Sequence, residues 1–234
     1  MNRRTLGAAG GLLALAAVAA WAVASTDEVP GPRPAEQRPA LALLTSLPLM
    51  FGENFGLESG GSAALTRIEQ RYNVLPIGVA DASSLKGQRL LLMAHPRAQP
   101  AEVLVELDQW VRDGGRVLLL ADPRVDWPSE RPLGDRLRPP PAFADTGLLT
   151  HWGVALRTPE VAGPVEVHGL LTSSPGRLES QACRLTQDGF IARCRVGKGS
   201  ATIIADADFL NVERPEDQGN LDLLIEELDR LESR

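Results

Sequence analysis

A mostly parallel, open α/β sheet is the fold class this sequence predicts, and three stretches predict it. Arg89 to Ala94 and Val117 to Ala121 are short, unbroken apolar runs, the pattern of strands covered on both faces. Between them Val103, Leu104, Leu107, Trp110 and Val111 recur at helical spacing, one apolar stripe on a helix. Pro100 opens that helix where a missing N–H costs little, and Gly114-Gly115 closes it. The third stretch is Ser200 to Ala205, another apolar run, ending in Asp206-Ala207-Asp208. Two parallel strands joined by a helix form a right-handed crossover, and ligands of such sheets sit beyond the strands' carboxyl ends. His95 to Gln99 and Asp122 to Asp126 are therefore the first places to look for function.

The remaining elements follow in order. Arg3 and Arg4 precede an uncharged run from Leu6 to Ala24, long enough to cross a bilayer. Ala22-Val23-Ala24 also fits a small-residue cleavage site. Residues 1–24 therefore read as an N-terminal hydrophobic helix, either a retained membrane anchor or a signal peptide cut after Ala24. Both put the rest of the chain outside the cytoplasm, in the periplasm of a bacterium. Residues 25–40 carry Pro30, Pro32, Pro34 and Pro39 and form a semi-rigid linker. The α/β domain spans 41–234. Its first strand is Leu41 to Ser46, followed by a Gly-rich connection from Leu47 to Gly61. A helix from about Ser62 to Arg71 and a second strand, Asn73 to Ile77, come next.

Residues 124–147 hold Pro128, Pro132, Pro139, Pro140 and Pro141 among charges. A loop this long inside a compact domain is functional or disordered, and its place after a strand's carboxyl end suits a flap. Leu148 to Val154 reads as a short helix and Val165 to Leu171 as a single strand. Leu178 to Val196 reads as a β-hairpin turning at Asp188-Gly189. That turn sets Gln187 opposite Phe190 and Cys183 opposite Cys194, at a hydrogen-bonded pair. In an exported chain the two cysteines are a disulfide candidate. Leu221 to Leu231, with one apolar stripe, is the closing helix.

The chain has 234 residues, is 44% hydrophobic and carries a net charge of −6. That fits one domain with extra segments. No basic stripe is present, which excludes nucleic acid as an expected partner. No Gly-x-Ser-x-Gly elbow follows a strand, so a nucleophilic serine or cysteine hydrolase is not expected. His95, His151 and His168 form no metal-ligand motif, and neither a metal nor a cofactor is expected. The strand-end acids Asp122, Asp206 and Asp208 could act with His95 as an acid–base or metal-assisted hydrolase. The plainer reading is that they cap loops and helices.

Three pieces carry a family resemblance. They are LLLMAHP with AEVLVELDQWVRDGGRVLLLADP, then Ser200 to Phe209, then Gly219-Asn220-Leu-Asp-Leu-Leu. Together they resemble the GldG-like auxiliary proteins of ABC-type transport systems. The resemblance implies a class I glutamine-amidotransferase-like, flavodoxin-like sandwich with helices on both faces and no amidotransferase chemistry. It implies a non-catalytic, extracytoplasmic accessory module attached to the membrane, partnered by an ABC permease and ATPase. His95, Asp122, Asp206, Asp208 and Asn220 are then ligand-site candidates, with no catalytic residue.

Overall fold

The strand–helix–strand unit forms as its pattern requires. Strand β3 (Leu90–Ala94) and strand β4 (Arg116–Leu120) pair in parallel, Leu90 beside Arg116 and Ala94 beside Leu120. The helix between them, Ala101–Arg112, starts after Pro100 and buries Val103, Leu107 and Val111. The computed structural model describes residues 31–51, 61–212 and 219–233, and residues from Gly31 onward form one compact unit. The N-terminal helix expected over residues 1–24 lies outside the described residues. Among the described residues no helix is long and apolar enough to cross a membrane.

The other elements of the main sheet are β1 (Ala40–Thr45), β2 (Asn73–Pro76), β9 (Arg184–Thr186), β10 (Ile191–Val196) and β11 (Gly199–Ile204). The strand order is β2-β1-β3-β4-β11-β10-β9. The first five are parallel, and β10 and β9 join antiparallel. The architecture is thus mixed α/β with a mostly parallel seven-stranded sheet. Helices α1 (Ala63–Glu69), α2 (Ala101–Arg112), α3 (Leu148–His151) and α4 (Gly219–Glu232) complete it.

Alternate residues of each central strand enter opposite cores. Leu41, Leu43, Leu92, Leu118 and Ile204 pack with α1 and α4. Ala42, Leu91, Met93, Leu119 and Ile203 pack with α2 and α3.

Two regions depart from expectation. The stretch expected as one strand, Val165 to Leu171, is a hairpin of β6 (Pro164–Val167) and β7 (Leu170–Ser173). His168 and Gly169, both at positive φ, make its two-residue turn, and the turn is hidden by the apolar residues around it. The hairpin expected over Leu178 to Val196 is shorter. Its amino-terminal part, β8 (Arg177–Ser180), pairs instead with β5 (Val154–Arg157). At its tip Thr186 pairs with Ile191, so four residues turn rather than two, and the Phe190 N–H donates to the Gln187 carbonyl at 2.8 Å.

The longer turn shifts the ladder's phase by one residue. The expected register holds, but Cys183 and Cys194 fall at a close, non-hydrogen-bonded spacing of 4.5 Å between Cα atoms. The disulfide expected between them is present.

Two long-range contacts fix the ends of the domain. Asp229 on α4 accepts from Arg71 Nη2 at 2.6 Å, Tyr72 Oη at 2.5 Å and Arg33 Nη2 at 3.1 Å. Arg71 Nη1 also donates to the Gly31 carbonyl. At the other face the β10–β11 turn sits against the end of α2. A Cβ on Gly199 would lie 2.1 Å from the Gly115 carbonyl oxygen and 2.2 Å from that of Val111.

Gly199→Ala must push α2 away from β11, and is expected to cost about 1–3 kcal/mol in urea unfolding. The Cys183→Ser, Cys194→Ser double variant closes no loop in its unfolded state. It is expected to lose about 2–3 kcal/mol relative to the oxidised protein, with no loss relative to the reduced one.

Candidate functional site

Strands β4 and β11 run side by side, Leu120 beside Ile204. Two residues further along both strands, their carboxyl ends bring Asp122 and Asp206 together. Both are fully buried. Asp122 satisfies loop N–H groups: Oδ1 accepts from Arg124 at 2.8 Å and Oδ2 from Ala207 at 2.9 Å. Asp206 Oδ1 accepts from Thr172 Oγ1 at 2.6 Å and from the Phe209 N–H at 3.0 Å. Asp208 Oδ2 accepts the Asp126 N–H at 2.7 Å. Asp206 Oδ2 and Asp208 Oδ1 are buried without a partner among the described residues.

So much buried carboxyl in one place shifts the protonation equilibria. Burial pushes Asp122 up to about 6, against three backbone N–H groups that favour its charge. Burial, then the Asp122 charge, holds Asp206 well above the ordinary carboxylate range. Burial, then Asp122, pushes Asp208 up to about 7.

Asp126 goes the other way. Its small desolvation is outweighed by the Ser174 and Ser173 hydroxyls, at 2.6 and 2.7 Å from Oδ2, and by Arg124. Asp126 and Asp208 share the wall of a 520 Å³ cleft with Arg124, Thr172, Ser173 and Asn211.

The expected site residues divide accordingly. Asp122, Asp206 and Asp208 converge. Asn220 reaches the same cleft, but its polar atoms are committed: Oδ1 accepts the Leu171 N–H at 3.0 Å, and Nδ2 donates to the Leu171 and Phe209 carbonyls. It holds β7 against α4.

His95 stands at the tip of β3, and its side chain is engaged away from the acids. Its Nε2–H donates to the Pro140 carbonyl at 3.0 Å, and burial lowers its pKa to about 4, so it is neutral. The hydrolase constellation of His95 with the three aspartates is therefore not assembled. No group of acids, histidines or cysteines among the described residues could hold a metal ion.

Sequence reasoning missed Asp126, Thr172, Ser173 and Ser174. Asp126 falls in the loop singled out after β4. The Thr-Ser-Ser run gives no sign that β7 crosses the strand tips.

No protein-family model matches the chain. No curated protein matches it. Solved structures do. An exo-β-1,4-mannosidase from Opitutaceae bacterium strain TAV5 is 11% identical, over 94% of this chain and 38% of that one, with a TM-score of 0.46. The GH42 β-galactosidase Gan42B from G. stearothermophilus, as a catalytic mutant, is 18% identical over 86% and 30%, with a TM-score of 0.43. The cytoplasmic protein STM1381 from Salmonella typhimurium LT2 is 10% identical over 82% and 99%, with a TM-score of 0.48. The chain spans about a third of the length of the two glycoside hydrolases.

The expectation of a non-catalytic accessory module is corrected at this site. The aspartates do cap loop N–H groups, as the plainer reading held, and three of them also gather, with burial raising their pKa values, behind one cleft.

The shifts carry a pH dependence. Unfolded Asp122, Asp206 and Asp208 titrate near 3.8, so the native state holds more protons from there up to their raised values. Stability contributed by protonation is full below 3.8 and is lost as pH rises through about 6 to 7. His95 opposes this only below its unfolded value of 6.5. The unfolding free energy these groups contribute is therefore expected to fall from about pH 4 to about pH 7, most cleanly above pH 6.5, where His95 no longer opposes it. Asp208→Asn, which mimics the neutral acid, should flatten that fall and stabilise the protein by about 1–3 kcal/mol at about pH 8. Parallel wild-type and variant curves would reject the assignment.

Proposed function

We propose that this protein is an acid–base hydrolase whose working pair is Asp208 and Asp126. One observation carries the reading: two neighbouring carboxyls on one cleft, with environments that push their protonation states apart. Such divergence separates an acid from a base. Asp208, proton-bearing near neutrality, is the general acid. Asp126, held ionised by two hydroxyls and Arg124, orients water or stabilises developing positive charge. Burial, and behind it the Asp122 charge, keep the Asp208 proton in place. A carboxylic acid and a carboxylate cleave an acetal without any serine or cysteine, so a glycosidic bond is the bond class this pair suits. The polar wall of Arg124, Ser173 and Asn211 suits a hydroxylated substrate.

The fold assignment within this reading is flavodoxin-like. The order β2-β1-β3-β4-β11 is the 2-1-3-4-5 order of that class, with helices packed on both faces. The Cys183–Cys194 bridge supports an oxidising compartment.

A panel of nitrophenyl glycosides tests the function. Hydrolysis of at least one is expected, with kcat/KM falling above about pH 7 as Asp208 loses its proton. Asp208→Asn and Asp126→Asn should each lower kcat/KM by roughly 10²–10⁴. No turnover across the panel, or turnover indifferent to both variants, would refute the reading.

A further inference from the structure

A second crevice opens on the same edge of the sheet, one strand pair away. β1 connects to β2 on one side and the chain then returns past β1 to β3. The strand order therefore reverses between β1 and β3, and the space beyond their carboxyl ends is where open α/β sheets take ligands. A cavity of 480 Å³ lies there. Its floor is rigid. Thr45 Oγ1 donates to the Ala94 carbonyl at 2.9 Å, and Ser46 Oγ donates to the His95 carbonyl at 2.5 Å, sewing the two strand tips together. His95 holds φ at 45°, a strained backbone for a non-glycine residue.

The lining has two chemistries. Leu43, Leu47, Met50 and Ile77 form an apolar side. Arg97, Arg131 and Arg136 form the other, and no acidic residue lines the cavity among the described residues. In a chain of net charge −6, three guanidinium groups converge on one apolar cavity. Clefts lined by one sign of charge focus the field and concentrate the opposite ion.

The arginines are also held in place by the insert. Arg97 Nη2 donates to the Arg136 carbonyl at 2.6 Å and the Arg138 carbonyl at 2.5 Å, which ties residues 136–138 over the crevice. Both bonds leave from one nitrogen, so neither occupies Nε or Nη1. Arg131 lies 3.8 Å from Asp135, which is not part of the lining.

We propose that this crevice binds a small molecule with an anionic head and an apolar body, the head on Arg97, Arg131 and Arg136 and the body on Leu43, Leu47 and Met50. Guanidinium groups pair with carboxylate or phosphate through parallel N–H bonds. An apolar wall adds affinity for hydrocarbon but not for the bare ion. The site is independent of the acid cleft and does not rest on the hydrolytic reading.

Isothermal titration of the full chain with decanoate, below its micelle concentration, tests the proposal. Decanamide and inorganic phosphate serve as the matched neutral body and bare anion. Decanoate is expected to bind at least tenfold more tightly than either. Arg136→Gln removes one charge without touching the carbonyl contacts of Arg97, and should weaken decanoate at least fivefold with an unchanged melting curve. Arg97→Gln should weaken it further. Asp208→Asn should leave decanoate binding unchanged while changing the acid cleft. Equal affinity for decanoate and decanamide, no binding of decanoate, or full affinity in Arg136→Gln would overturn it.

Discussion

The parallel pairing of β4 with β11 is the constraint on which the rest depends. The two strands are neighbours in the sheet but far apart in the chain. After Leu120 the chain runs through the insert, β5 to β8 and the β9–β10 pair before β11 begins at Gly199. Their register is set at the amino end, where the Lys198 N–H donates to the Arg112 carbonyl at 2.9 Å and Gly199 lies against the end of α2. Only a residue without a side chain allows that approach. A register shift of one residue would turn every β11 side chain to the opposite core, and would separate Asp206 from Asp122.

Everything chemical at the sheet edge follows from that alignment. Two buried carboxyls at neighbouring strand tips cannot both ionise cheaply. The structure answers with backbone N–H donors for Asp122, the Thr172 hydroxyl for Asp206, and retained protons. β7 supplies Thr172 and Ser173, and the Gly176 N–H donates to the Ala205 carbonyl at 2.8 Å to hold that excursion over the tips. The insert covers the same edge: its Asp126 enters the acid cleft and its Arg136 enters the neighbouring crevice.

Much of the core was legible because it is local. The β3–α2–β4 unit announces itself by unbroken apolar runs and a helical stripe, and the strand ends could be read to within a residue or two. The cysteine register followed from the position of the Asp188-Gly189 turn, because a two-residue and a four-residue turn centred there give the same pairing. What escaped was set by tertiary contact. Asp188-Gly189 signals a tight turn, but Thr186 pairs with Ile191, and no propensity distinguishes two residues from four there. Val165 to Leu171 hides a turn at His168-Gly169. The partners that separate Asp126 from Asp208 come from β7 and the residue after it, 47 and 48 positions away, and no spacing rule links them. Asn220 was legible as special, but not that its amide would be spent on Leu171.

The contact around Asp229 has a topological consequence. Arg71 holds the Gly31 carbonyl with one nitrogen and Asp229 with another, so the beginning and the end of the described fold meet at one guanidinium. In a chain shortened to residues 31–233, a short peptide link joining the two ends would make a ring. The ring would have fewer conformations open to it when unfolded, and a cut elsewhere on the surface could then serve as a new pair of termini.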